Sequence, residues 1–243
     1  MFNVVSPRIH NLGDFSHCLP ILSGLYKLTG EKMHFMICNR LERFRGIKEL
    51  LMAQEMFTEI SFMHEIKEQQ IKGLLIDDTG TDEGYGTRPI AGHKFYTYLR
   101  DTYKIDFQCD DDFELKVPKL DIDYHNDTLI VGDRWAPKDA PDVDTRRYSN
   151  LIENAKIFEE GEVVYLDYTK DLLYNCALVK YNPNPFITTF TGIGILADLM
   201  KKEMVVAWDE DMRIWQGLPV EHDFDLHYYK DRNAKLVYVK DLK

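Results

Sequence analysis

The segment richest in groups able to do chemistry is Asn11-Leu12-Gly13-Asp14-Phe15-Ser16-His17-Cys18-Leu19-Pro20. It follows a short apolar run at 2–5 and opens a stretch with helical spacing, so it reads as a turn from a strand into a helix. Gly13 permits a tight turn with close backbone approach. Asp14 then falls at or near the helix N-terminus, where the macrodipole and the amides favour a charged carboxylate. A carboxylate held there can accept a proton; its plainer role is that of a helix cap. His17 lies one turn on, on the same helical face.

A second segment, Asn182-Pro183-Asn184-Pro185-Phe186-Ile187-Thr188-Thr189-Phe190-Thr191-Gly192-Ile193-Gly194, leads into another helix. A turn rich in Thr and Gly at a helix N-terminus offers hydroxyls and unpaired amides to an anion, typically a phosphate. Thr189, Thr191, Gly192 and Ile193 are the donors expected there, and an ordinary Thr cap is the plainer role of Thr191. The pattern is neither the dinucleotide G-x-G-x-x-G nor a P-loop. In Gly132-Asp133-Arg134-Trp135, Arg134 can hold a diphosphate and Trp135 can cover a base, although a structural Arg and a core Trp fit equally well. Arg8, Arg88 and Lys94 are further phosphate candidates with plainer surface roles. Asp110, Asp111 and Asp112 read as a solvated loop, because three adjacent carboxylates share no face; Asp209, Glu210 and Asp211 read likewise. No metal site is expected, and the absence of G-x-S-x-G disfavours a serine hydrolase.

The elements that must position these groups alternate. Strands are expected at 2–5, 33–38, 59–63 and 73–76, with helices at 15–28 and 43–54. A Gly/Thr-rich loop at 79–92 and a helix at 91–103 follow. After an acidic, Pro-broken stretch at 109–127, strands are expected at 128–131, 163–166, 177–179, 204–208 and 235–239. Helices are expected there at 148–158, 169–174 and 192–201. Such alternation predicts an α/β fold of two Rossmann-like domains, 1–115 and 116–243, with an interdomain cleft. With 243 residues, the chain has the length for this.

Composition narrows the function classes. A hydrophobic share of 44% supports a real core, and a net charge of −11 argues against non-specific coating of nucleic acid. Arg40, Arg43, Arg45 and Lys48 form a local basic stretch that can contact phosphates, the plainer reading being a solvated face. The four cysteines, Cys18, Cys38, Cys109 and Cys176, form no C-x-x-C pair and read as reduced thiols of a cytoplasmic protein. There is no basic, apolar leader and no run of about 18 apolar residues, so neither secretion nor a membrane span is expected.

The first segment resembles the heptosyltransferase-type glycosyltransferases of the GT-B fold, whose first loop reads roughly G-D-x-x-H-x-L-P. Gly13, Asp14, His17, Leu19 and Pro20 match it. The resemblance implies a general-base role for Asp14, with Gly13, His17 and Arg88 on the acceptor side. It implies a donor loop at Thr189, Thr191, Gly192 and Ile193, with Arg134 beside it. Thr191, Gly192 and Ala197 fit the family pattern D-[ST]-G-x-x-H-x-A, whereas Phe190 replaces its Asp and Ile195 its His. Those two changes imply altered donor binding.

The chain is also similar to glycosyltransferases of T-even-like phages, some of which modify hydroxymethylcytosine in DNA. The expected reaction is therefore inverting sugar transfer from a nucleotide diphosphate sugar, a UDP-sugar by preference, to a hydroxyl. No metal cofactor is required, and the acceptor is DNA or a saccharide. A non-catalytic nucleotide-binding module derived from such an enzyme is the alternative, and a dinucleotide-dependent epimerase is disfavoured by the missing fingerprint. Oligomeric state carries no sequence signal.

Overall fold

The computed structural model describes residues 2–7, 9, 11–76, 99, 103–133, 152, 163–189, 191–208 and 233–239. The chain divides into two compact units, Met1–Lys116 and Val117–Lys243. The expected loop at 79–92, the helix at 148–158 and most of the helix at 91–103 lie outside the described residues.

The first unit is built on β1 (Phe2–Ser6), α1 (Leu12–Thr29), β2 (Met33–Ile37), α2 (Ile47–Met52), β3 (Phe57–Phe62) and β4 (Leu74–Leu75). Its sheet has the order β3-β2-β1-β4, and every pairing is parallel. Strands β1 and β2 are nearly continuous apolar runs, as a sheet covered on both faces requires. Val4, Met33, Phe35 and Ile37 are fully buried. A stack of rings ties α1 to this sheet: Phe15 lies 5.8 Å from Phe35, and Phe35 lies 5.5 Å from Phe57. These rings anchor the helix by its first turn. Where one helix is expected at 43–54, a 3₁₀ turn at Asn39–Arg43 precedes the shorter α2. Gly46, with φ 81°, separates the two, because a left-handed residue cannot continue a right-handed helix.

A returning segment covers α1. The backbone of Gln108 approaches Gly24 so closely that a Cβ there would overlap its carbonyl oxygen. Asp110 is the clasp of this approach. Its carboxylate accepts from Ser23 Oγ at 2.5 Å and Lys27 Nζ at 2.7 Å, and its amide donates to the Pro20 carbonyl at 3.0 Å. Asp111 and Asp112 are exposed as expected, but Asp110 is buried, so the triplet is not a uniformly solvated loop. Burial cannot leave a carboxylate unpaired, and α1 supplies both donors.

The second unit contains β5 (Leu129–Gly132), β6 (Val163–Tyr165), α3 (Leu172–Tyr181), β7 (Phe186–Thr188), α4 (Gly192–Leu199), β8 (Met204–Trp208) and β9 (Ala234–Tyr238). Its sheet has the order β6-β5-β7-β8-β9, again parallel throughout. The strand expected at 177–179 is instead the second half of α3. The run Cys176, Ala177, Leu178, Val179 is wholly buried, and an all-round apolar helix shows no face by which to tell it from a buried strand. The strand feeding α4 is β7. Asn182 fixes its approach, with Nδ2 at 2.8–3.2 Å from the carbonyls of Tyr124, His125 and Thr128. Asn184 Nδ2 adds bonds to Asn126 and Thr128 at 2.9 Å, and buried Lys202 donates to the Asn182 carbonyl.

The Asp110 clasp predicts a pH-dependent loss on substitution. Burial disfavours its charged form, but the bonds from Lys27 and Ser23 prevail and hold its pKa below the ordinary carboxylate value. Its stabilisation is therefore complete above the unfolded pKa and fades as pH falls through the folded one. Asp110→Ala should lower stability at pH 7 by about 1–3 kcal/mol, measured by urea unfolding, and the gap to the parent should close below about pH 4.

Candidate functional site

In each unit the chemistry-bearing segment leaves the carboxyl edge of an interior strand. In the first sheet β1 connects to β2 on one side, while β4 adds on the other; in the second, β5 connects to β6 on one side, while β7 lies on the other. These reversals are the points at which open parallel sheets leave room for a ligand beyond the strand ends. The helix carrying Asp14 follows β1, and the Thr-rich turn follows β7 beside the end of β5.

Asp14 lies in the first turn of α1 and is half-buried. It is not the cap. Asn11 holds that position, with φ −92° and ψ 141°, and makes no side-chain bond to the helix amides. The Asn11 amide instead donates to Asp14 Oδ2 at a long 3.4 Å. Among the described residues the carboxylate forms no ion pair. It thus has the dipole's support and spare lone pairs, the state a base needs before it meets a proton donor. Gly13 sits inside the helix, so the turn itself precedes it. His17, half-buried, follows one turn on. Phe15 and Leu12, both buried, clamp this turn, and Ser16 Oγ reinforces it with a 2.6 Å bond to the Leu12 carbonyl.

At the end of β7, Thr188 and Thr189 are fully buried and Thr191 nearly so. Thr191 is the N-cap of α4; its Oγ accepts from the Gly194 amide at 3.3 Å. The expected cap role is real, and it leaves the amides of Gly192 and Ile193 without partners inside the helix. Ile193 has a fully buried side chain, so its amide is what it can offer a ligand. Arg134 and Arg88, with Arg8, Lys94, Trp135 and Phe190, lie outside the described residues.

Two supports escaped the sequence reading. Thr188 Oγ donates to the Gly132 carbonyl at 2.7 Å, and Tyr168 Oη donates to the next carbonyl, Asp133, at 2.6 Å. Two hydroxyls from flanking segments thus pin the chain where it leaves β5. Gly132 is required there because a Cβ would strike the Phe186 ring. Nothing local in the sequence marks Thr188 or Tyr168, since their partners are carbonyls far along the chain. Tyr168 is held neutral by burial and by the neighbouring Asp133.

Other chemistries fit less well. Cys18 and Cys176 are buried, and burial raises both thiols out of the range of useful thiolates, Asp14 adding to the effect at Cys18. His34 Nε2 meets Ser61 Oγ at 2.9 Å and Glu59 Oε1 at 3.7 Å, superficially a hydrolytic trio. Both partners sit on the same ring nitrogen, whereas a relay needs the acid on the other one. Among the described residues no group of three or more metal-ligating side chains is gathered, and no helix is long and apolar enough to cross a membrane.

No protein-family model matches the sequence, and no curated protein matches it either. Solved structures do match. The glycosyl transferase family 9 protein from Veillonella parvula aligns with 100% of this chain and 88% of its own at TM-score 0.60 and 10% identity. The E. coli heptosyltransferase WaaC, solved with ADP, aligns with 97% of this chain and 93% of its own at TM-score 0.53 and 8% identity. The iron-containing dodecameric glycosyltransferase TibC from enterotoxigenic E. coli aligns with 84% of this chain and 57% of its own, at TM-score 0.53 and 14% identity. At these identities the likeness is one of fold.

The strand-end clamp gives a direct test. Thr188→Val keeps the shape but strands a buried carbonyl, so it should cost about 1–3 kcal/mol in urea unfolding. Thr188→Ser, which keeps the hydroxyl, should recover the hydrogen-bond part of that loss.

Proposed function

We propose that this chain is a glycosyltransferase of the GT-B type, moving a sugar from a nucleotide diphosphate sugar to an acceptor hydroxyl. The observation that carries the reading is Asp14: a half-buried carboxylate with no ion pair among the described residues, in the first turn of the helix after an interior strand, in a fold shared with glycosyltransferases. In this reading the acceptor oxygen attacks the anomeric carbon as Asp14 takes its proton. The bond from that carbon to the diphosphate breaks, and the leaving oxygen keeps the electron pair. One base and one leaving group give displacement from the opposite face, hence inversion. The amides of Gly192 and Ile193, the hydroxyls of Thr189 and Thr191, and Arg134 receive the growing negative charge, so no metal is required. Gly13, His17 and Arg88 belong to the acceptor side.

A UDP-sugar is the first donor to test, with ADP-linked sugars beside it because WaaC was solved with ADP. A saccharide hydroxyl and the hydroxymethyl group of a modified cytosine are acceptors of the same chemical type. Thermal-shift screening of UDP-, ADP-, GDP- and CMP-sugars should identify the donor. With that donor, Asp14→Asn should lower turnover by about 10²–10⁴-fold while donor binding is retained. Turnover at the parent rate would remove Asp14 from the base role.

A further inference from the structure

The N-cap of α1 is occupied by a residue that does not use its side chain as a cap. Asn11 is of a type well suited to that position, and its backbone has the extended geometry the position requires. The Phe15 amide donates to the Asn11 carbonyl at 3.0 Å and opens the helix. An asparagine there ordinarily turns its side-chain oxygen onto the second or third amide of the helix, here that of Gly13 or Asp14. No such bond forms. The side chain faces the Asp14 carboxylate instead, with Nδ2 at 3.4 Å from Oδ2.

Chemistry fixes which end of the amide meets the acid. A carboxylate only accepts, so the amide nitrogen and not the amide oxygen must face it. The bond is long, a length common for catalytic hydrogen bonds before substrate binds. The main chain of this turn has restraints of its own. Ser16 Oγ donates to the Leu12 carbonyl at 2.6 Å, Cys18 Sγ to the Asp14 carbonyl at 3.6 Å, and the Phe15 ring stacks on Phe35. These contacts hold the backbone and do not set the two torsions of the Asp14 side chain. Among the described residues, Asn11 supplies the one hydrogen bond to that carboxylate.

A base works only when its accepting lone pair is aimed. Nδ2 engages Oδ2 and leaves Oδ1 to meet a proton, the division of labour in which a third group orients a base. Capping alone does not call for asparagine here, since serine and aspartate cap as well. Only a side chain with an N–H donor of this reach restrains the carboxylate. Resting on the transferase reading, in which Asp14 is the base, we infer that Asn11 is its positioning residue, holding the carboxylate in the rotamer that offers Oδ1 to the acceptor hydroxyl.

Asn11→Ser separates positioning from capping, because serine keeps a capping oxygen but has no N–H donor of this reach. The readout is the set of three-bond couplings about χ1 of Asp14, measured by NMR on the full, isotope-labelled chain without ligand. In the parent they should report one staggered rotamer. In Asn11→Ser they should move to rotamer-averaged values while the urea midpoint stays at the parent's. Asn11→Gln, which returns the carboxamide on a longer stem, should recover part of the preference. With the donor that the thermal-shift panel identifies, kcat of Asn11→Ser should fall by about 10–10²-fold at unchanged donor KM. Averaged couplings already in the parent, a single rotamer retained in Asn11→Ser, or the parent kcat in that variant would each overturn the positioning role. The base role is read separately: parent turnover in Asp14→Asn removes the base, whereas unchanged couplings in Asn11→Ser remove only its positioning residue.

Discussion

Every strand pairing among the described residues is parallel, and that single constraint organises both units. A chain entering each strand from the same end must leave each from the same end. The outgoing turns therefore collect along one edge of each sheet, and the helices that follow point their N-terminal amides toward it. Strand order then selects the place within the edge. Beside β1 and beside β5, successive connections run in opposite directions, and space opens at the strand tips. Asp14 and the Thr-rich turn occupy their positions because of this geometry.

Holding those turns still falls to a small set of buried polar contacts. Asp110 locks a returning segment onto α1. Asn182 and Asn184 tie the approach of β7 to the carbonyls before β5, and Thr188 and Tyr168 pin the exit of β5. Each contact satisfies a group whose desolvation would otherwise oppose folding, so each is demanding in geometry. Apolar packing brings the elements together; these bonds decide where the chain turns. The Phe15–Phe35–Phe57 stack does the equivalent for the first turn of α1, setting the residue beside Asp14 against the sheet.

The proposed chemistry draws on what remains unconsumed. Lys27, Lys48 and Lys202 are committed to structural partners, and the thiols of Cys18 and Cys176 are buried and protonated. Among the described residues the Asp14 carboxylate accepts one long hydrogen bond, and the Gly192 and Ile193 amides have no intrahelical acceptor. A proton acceptor and an anion cradle are the two devices that sugar transfer from a diphosphate needs.

The sequence by itself determined the alternating α/β class, the strands at the apolar runs, the helix that follows the first strand and the Thr-Gly turn, because periodicity and capping are local signals. It misplaced a strand at 177–179, since an all-buried run has no period to betray its helix. It also merged the 3₁₀ turn with α2 and treated Asp110 as solvated. Tertiary structure alone decided that Asp110 is clasped, that Asn11 rather than Asp14 caps α1, that Lys48 is spent on Glu65, and that Thr188 and Tyr168 guard the end of β5. Each of those outcomes depends on a partner distant in sequence or on which of several neighbours the chain sets at the N-cap, and neither leaves a pattern in the residues themselves.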